Sequence, residues 1–318
     1  MSIFKLDPAF KDYIWGGTRL RDEYGKKCDY DKVAESWELS CHKDGPSVVA
    51  DGEYKGLTLN EYIEKAGKGV LGKNCERFEN FPILIKLIDA KDNLSVQVHP
   101  DNDYAMRVEG EYGKTEMWYV VDCDEGATLL YGFKHEITKE EFARRIADNT
   151  LLEVTNAVPV KKGDVFFIKS GTLHAIGNGI LIAEIQQNSN TTYRIYDYGR
   201  VGKDGKPREL HVNKALDVTK LAPAEQYPET PVEKKDGYDI KLLSKCEYFT
   251  TYRVNVETKA ELDADENSFN SILVLEGEPV ISGGETVSAK KGESVFISAG
   301  TGKYTVEGKC TFVLTKID

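Results

Sequence analysis

Three short strings gather polar side chains on one face of a strand in a way suited to holding a cation. In Leu94-Ser95-Val96-Gln97-Val98-His99 the alternation turns Ser95, Gln97 and His99 to one side and Leu94, Val96 and Val98 to the other. The same parity groups Lys114 with Glu116 in Lys114-Thr115-Glu116-Met117-Trp118-Tyr119-Val120, and Thr172 with His174 in Gly171-Thr172-Leu173-His174. Gln97, His99, Glu116 and His174 then offer an amide oxygen, two imidazoles and a carboxylate. Such a set suits one borderline divalent ion per chain, zinc foremost, with a position left open for water or substrate. A single strand histidine is more often a hydrogen-bonded core residue, so the weight rests on the combination. His99, Glu116 and His174 also form the two-histidine, one-carboxylate set of non-haem iron oxygenases, which dependence on iron and oxygen would reveal. A third possibility is a non-catalytic barrel that only binds its ligand. His42, His135 and His211 lack a comparable setting and read as surface or structural residues.

The elements that must carry these residues are mostly strands. Short runs rich in Val, Ile, Phe and Tyr, broken by Gly, Asp and Asn, predict an all-β protein with helices as inserts. Helices are expected over Leu59 to Ala66, after Thr138, where Thr138-Lys139-Glu140-Glu141 fits a capping box, and over Val212 to Val218. An internal repeat governs the organisation: Lys161-Lys162-Gly163-Asp164-Val165-Phe166-Phe167-Ile168-Lys169-Ser170-Gly171-Thr172 returns as Lys290-Lys291-Gly292-Glu293-Ser294-Val295-Phe296-Ile297-Ser298-Ala299-Gly300-Thr301. Two barrels follow from it. Where the first copy continues Leu173-His174 the second has Gly302-Lys303, which predicts one working and one structural barrel. Gly163, Gly171, His174 and Asn178 resemble the second motif of cupin (double-stranded β-helix, jelly-roll) barrels, with Lys169 where that motif usually has proline. The expected division is a metal-binding cupin barrel over residues 60–221, with a helical insert near 135–157, and a metal-free barrel from residues 1–59 plus 236–318. The proline-bearing stretch 222–235 is expected to link them.

Composition narrows the partners. A formal net charge of -11 argues against nucleic acid and leaves a small molecule as the expected ligand. The first ten residues lack the apolar run of a signal peptide and no later run has the apolar length of a bilayer span, so a cytoplasmic protein with no membrane partner is expected. The six cysteines, Cys28, Cys41, Cys75, Cys123, Cys246 and Cys310, include no Cys-x-x-Cys pair and predict neither a disulfide framework nor a thiolate site. Gly113-Lys114-Thr115 ends like a phosphate-binding loop, but that motif requires glycine at the position of Val108 and a following helix, which argues against a nucleotide-dependent kinase.

Several strings, in order, resemble type I mannose-6-phosphate isomerases of the short bacterial form. They are Tyr13-Ile14-Trp15-Gly16-Gly17, Ala34-Glu35-Ser36-Trp37-Glu38, Phe81 to Lys86, Leu94 to Asp101, Gly113 to Tyr119, Gly171 to Gly177, and Thr191 to Arg200. The resemblance implies zinc held by His99, Glu116 and His174, with Gln97 as the least certain ligand, and Arg194 as the active-site arginine. It implies a hexose 6-phosphate substrate, with Lys86 and Ser95 on its phosphate, and an aldose–ketose interconversion through an enediol(ate) proton transfer. Lys114 is expected either to shuttle protons or to bind substrate oxygens as a charged group. The two N-terminal strings are expected to complete the second barrel, and the protein to be a monomer or a small homo-oligomer.

Overall fold

Alternating apolar and polar residues along the chain close two antiparallel barrels in the computed structural model, which describes residues 2–202 and 205–318. The first barrel faces a six-stranded sheet, in the order Val165–Ile168, Glu116–Cys123, Ile180–Gln187, Ile83–Ala90, Glu35–Leu39 and Ala9–Lys11, against a five-stranded sheet. The latter runs Tyr193–Tyr196, Val96–Val98, His174–Ala175, Thr128–Phe133 and Thr155–Pro159. The second barrel pairs an eight-stranded sheet with a four-stranded one of Lys259–Ala264, Gly302–Glu307, Val280–Ser282 and Thr286–Ser288. The fold is all-β, as expected for cupins.

The two copies of the repeat occupy matching places. Val165–Ile168 runs beside Glu116–Cys123 with Ile168 opposite Glu116, and Ser294–Ile297 runs beside Asn270–Gly277 with Ile297 opposite Asn270. Each strand is entered through a glycine in the left-handed region, Gly163 at φ 89° and Gly292 at φ 87°, a conformation only glycine adopts without strain. The large sheets lie back to back. Ile83, Ile85, Leu87, Met117 and Ile185 from one pack with Phe249, Phe269, Leu273, Phe296 and Val313 from the other in a single buried cluster. Lys26 adds a polar tie across the join, its Nζ 2.6 Å from Glu38 and also bonded to the Gly292 carbonyl.

The N-terminal segment divides between the barrels, which corrects the expectation that residues 1–59 and both N-terminal strings belong to the second. Ile3–Asp7 and Val48–Val49 do join the eight-stranded sheet. Ala9–Lys11 and Glu35–Leu39 instead extend the first barrel, with Trp37 opposite Lys86, while Gly16 bridges Ala90. Charge accounts for the choice: Glu35 finds Lys86 inside the first barrel, 3.5 Å away, whereas the second interior is built of Val, Ile, Ala, Phe and Tyr. The linker also proves shorter than 222–235, because Val232–Lys235 is already the edge strand of the eight-stranded sheet.

Leu59–Ala66 carries a complete capping box from Thr58 and Glu61. Lys139–Ala147 has half of one: Thr138 accepts from the Glu141 N–H, but the Glu141 carboxylate turns to Arg145 Nε at 3.2 Å. The insert is α-helical only to Ala147 and adds a 3-10 turn over Leu151–Glu153, after which Thr155–Pro159 is a sheet strand. Phe142, Leu151, Val154 and Ala215 of this insert and of the Val212–Val218 helix bury Val96 and Val98, and so back the strand that presents Gln97. Two helices escaped the periodicity, Arg19–Asp22 and Asn102–Val108, the latter capped by Asp101 on the Tyr104 N–H. Among the described residues no helix is long and apolar enough to cross a membrane.

Candidate active site

Strand register assembles the site. Gln97 lies opposite both His174 and Arg194, so these three form a row across the five-stranded sheet. Across the six-stranded sheet Trp118, Glu184, Lys86 and Trp37 form another. His99, just beyond its strand, and Glu116, at the start of its own, close the space between the sheets. One ligand atom from each of His99, Glu116 and His174 lies within 4.8 Å of the others, and all three residues are buried.

The tautomers point the same way. His99 Nδ1 lies 2.9 Å from the Thr191 carbonyl and His174 Nδ1 lies 2.8 Å from the Thr172 carbonyl. A carbonyl only accepts, so each neutral ring carries its proton on Nδ1 and leaves a lone pair on Nε2. Those Nε2 atoms face each other at 3.1 Å, and Glu116 approaches at 3.5 Å from His99 and 3.4 Å from His174. Both Glu116 carboxylate oxygens are buried with no hydrogen-bond partner. Two imidazole lone pairs and a carboxylate without a hydrogen-bond partner, with the Lys114 ammonium beside only one of its oxygens, converge on one point, a donor set that fits a metal ion. Burial holds the His99 pKa well below its usual range and that of His174 down to about 4, so both rings are neutral ligands at neutral pH. Burial pushes the Glu116 carboxyl upward, against the pull of Lys114, whose Nζ lies 3.2 Å away.

Beside this trio opens a cavity of about 240 Å³ lined by Ser95, Gln97, Lys114, Arg194, Glu184 and Lys86, with Tyr13, Asn190, Thr192 and Arg208 among its other walls. Its lining is predominantly polar and includes four cationic side chains. A model of the type I phosphomannose isomerase catalytic domain matches residues 3–126, and one of the mannose-6-phosphate isomerase cupin domain matches residues 239–317. Mannose-6-phosphate isomerase ManA of Bacillus subtilis is 39% identical over 312 residues, covering 98% of this chain and 97% of its own. The crystal structure of the mannose 6-phosphate isomerase from Bacillus subtilis superposes with a TM-score of 0.93 at 38% identity, over 99% of both chains. The chain belongs to the type I mannose-6-phosphate isomerase family of enzymes. A zinc-bound mannose 6-phosphate isomerase structure at 17% identity, TM-score 0.80 over 100% of both chains, shares the fold.

Within this family frame the expected residues fall in different settings. Gln97 borders the metal trio, its side-chain nitrogen 3.4 Å from His174 Nε2 and its oxygen 3.5 Å from Ser95 Oγ. Arg194 makes no hydrogen bond to the nearby Asp197 among the described residues. Asp197 is taken by Arg200 and Arg208, while Arg194 Nη1 donates to the Glu209 carbonyl and its buried Nε has no partner. Burial lowers its pKa, the cost of holding a guanidinium ready at the cavity wall.

Lys86 corrects the phosphate expectation. Its Nζ lies 3.2 Å from Glu184 and 3.5 Å from Glu35 and beneath the Trp37 ring, where burial opposes its charge but the two carboxylates hold its pKa above the usual range. A lysine already outnumbered by carboxylates offers an anion no net attraction. Trp118 Nε1 and Trp37 Nε1 donate to Glu184 and Glu35 at 2.9 and 2.7 Å, completing a floor of locked charges. Glu35, Glu184 and Arg208 were missed in the sequence. The inward parity of Glu184 with Gln186 in Ile180–Gln187 was a readable signal for one of them; the others reach the cavity from segments with no such pattern.

Proposed function

We propose that this protein interconverts mannose 6-phosphate and fructose 6-phosphate through an enediol(ate) proton transfer between C1 and C2, in the cytoplasm. One zinc ion would be held by His99, Glu116 and His174, with Gln97 beside it. The carrying observation is the convergence of two imidazole lone pairs and the buried Glu116 carboxylate at the end of a cavity walled by Lys114, Arg194 and Arg208, in a chain of this family. When bound, the ion supplies Lewis-acid stabilisation to the oxygens on which negative charge develops.

The chain's own residues do the rest. Lys114, beside Glu116 and on the cavity wall, binds a substrate oxygen through its N–H donors and is the nearest group able to move a proton there. Arg194 turns its unpartnered Nε toward oxyanions, a geometry suited to its fork of donors. Arg194 and Arg208, less buried than the Lys86 floor, meet the phosphate, with Ser95 as a hydroxyl donor deeper in. Lys86 holds Glu35 and Glu184 in place. Lys114, Arg194 and Arg208 favour an anionic sugar over the apolar substrate of an oxygenase.

Purified protein assayed for turnover of mannose 6-phosphate, before and after chelation and after zinc is restored, tests this reading. Activity lost to chelator and regained with zinc is expected; a fully metallated protein without turnover would overturn it.

A further inference from the structure

The Nδ1 proton of His99 is received by the Thr191 carbonyl, and Thr191 lies in a stretch, Asn188 to Thr192, that belongs to neither sheet of the first barrel. Something other than a strand ladder must fix that carbonyl. Its own neighbours give part of the answer: Ser189 Oγ accepts from the Thr191 N–H at 3.2 Å, and the Ser189 carbonyl accepts from Gln186 Nε2 at 2.6 Å. The remainder comes from outside. Glu111 Oε2 accepts from the Asn190 N–H at 3.3 Å and from the Thr191 hydroxyl at 3.1 Å.

Glu111 is itself held. Its Oε1 lies 3.4 Å from His42 Nε2 and 3.5 Å from Lys43 Nζ. His42 is buried and accepts the Asp44 N–H at Nδ1, so the neutral ring has its proton on Nε2, directed at Glu111. Two residues earlier Glu109 accepts from the Tyr193 hydroxyl at 2.8 Å and from Lys214 at 2.6 Å. The turn bearing Glu109 and Glu111 thus holds the stretch at Asn190 and Thr191 and the strand that follows it at Tyr193. Asn190 and Thr192 line the 240 Å³ cavity, whereas Glu111 and His42 line a separate one of about 460 Å³, so Glu111 acts from behind the wall.

We propose that Glu111 is a positioning residue for the metal centre, setting the Thr191 carbonyl and through it the tautomer and orientation of His99. Outer partners of a metal-bound histidine commonly govern affinity in this way. The inference rests on the reading that His99 holds a metal, and the test separates the two. Wild-type protein, Glu111→Ala, Glu111→Gln and Thr191→Val are loaded with zinc and titrated against a chromogenic chelator. The cobalt-substituted forms are compared by visible absorption, and the metal-free forms by thermal melting.

Glu111→Ala is expected to bind zinc about 10- to 100-fold more weakly with an altered cobalt spectrum. Its metal-free melting temperature should stay close to wild type. Glu111→Gln keeps an oxygen able to accept both bonds and should stay within a few-fold of wild type; Thr191→Val, lacking one bond, should fall between. Wild-type zinc affinity and spectrum in Glu111→Ala, or in Thr191→Val should the alanine variant not fold, would overturn the proposal. So would equal losses in the Ala and Gln variants accompanied by a lowered metal-free melting temperature, which mark a merely structural role. A wild-type protein that takes up no zinc overturns the reading of the site and this inference with it.

Discussion

The two barrels share a topology and a repeated strand but differ in what they enclose. Through the register, Asn270 occupies in the second barrel the place of Glu116 in the first. Ile272, Leu314 and Tyr252 likewise match Trp118, Glu184 and Lys86. Asn270 Nδ2 donates to the Tyr304 hydroxyl at 2.9 Å and to the Asp263 carbonyl at 3.0 Å, so this neutral interior satisfies itself. The first interior leaves both Glu116 oxygens without a hydrogen-bond partner, turns two imidazole nitrogens toward each other and locks Lys86 between carboxylates. The difference teaches that a jelly roll holds together without buried charge. The frustrated polar groups of the first barrel are therefore the price of chemistry rather than a requirement of the fold.

The sharpest way to break this comparison is to remove a ligand. His174→Ala and Glu116→Gln should each abolish metal uptake and lower turnover by more than about a thousandfold, since the main source of charge stabilisation is lost. Tyr304→Phe in the second barrel should leave turnover unchanged; metal analysis with steady-state kinetics checks both. Next in size, Lys86→Met should strand two buried carboxylates and cost about 3–5 kcal/mol of unfolding free energy in urea titrations. Tyr252→Met, at the matching position, should cost far less.

A pH series on metal-free protein sharpens the contrast further. The folded-state pKa values of His99 and His174 lie below their ordinary value near 6.5, so the unfolded chain takes up protons first as pH falls. Stability from these two groups is lost as pH falls from about 6.5 toward 4. Glu116 works oppositely, because its raised folded-state pKa adds stability that disappears as pH rises above the ordinary carboxyl range. Two groups against one leave a net loss of stability on acidification between about pH 6.5 and 4.5, on the order of 1 kcal/mol per pH unit, visible in urea midpoints. His174→Ala should flatten the slope. The smallest effect is in the second barrel, where Tyr304→Phe should cost about 1 kcal/mol by removing one buried hydrogen bond.

Much of the candidate site was legible because strand parity is local. Polar residues at every second position of Ser95 to His99 and of Lys114 to Glu116 announce a polar interior, and the repeated Lys-Lys-Gly strand announces a second barrel. The pairing of Glu35 with Lys86 and Glu184 was illegible because it joins three strands distant in sequence, and Lys86 alone looks like a free cation. The place of Glu35–Leu39 was misread for the same reason: its partner Ile83–Ala90 is defined by register, which a single segment does not encode. Glu111 carried no signal, since it binds mainly through backbone and hydroxyl groups of a stretch without regular structure.

The division of the N-terminal segment has a consequence for how the protein is made. Ile3 to Leu6 pairs with Ser294 to Ile297, so this strand leaves the ribosome long before its partner is translated. Until then it is an exposed edge carrying Phe4 and Leu6, open to pairing with another nascent chain. Such remote pairing slows folding, and the first barrel, whose strands lie between Ala9 and Tyr196, is complete in sequence before the remaining strands of the second, from Val232 onward, are made.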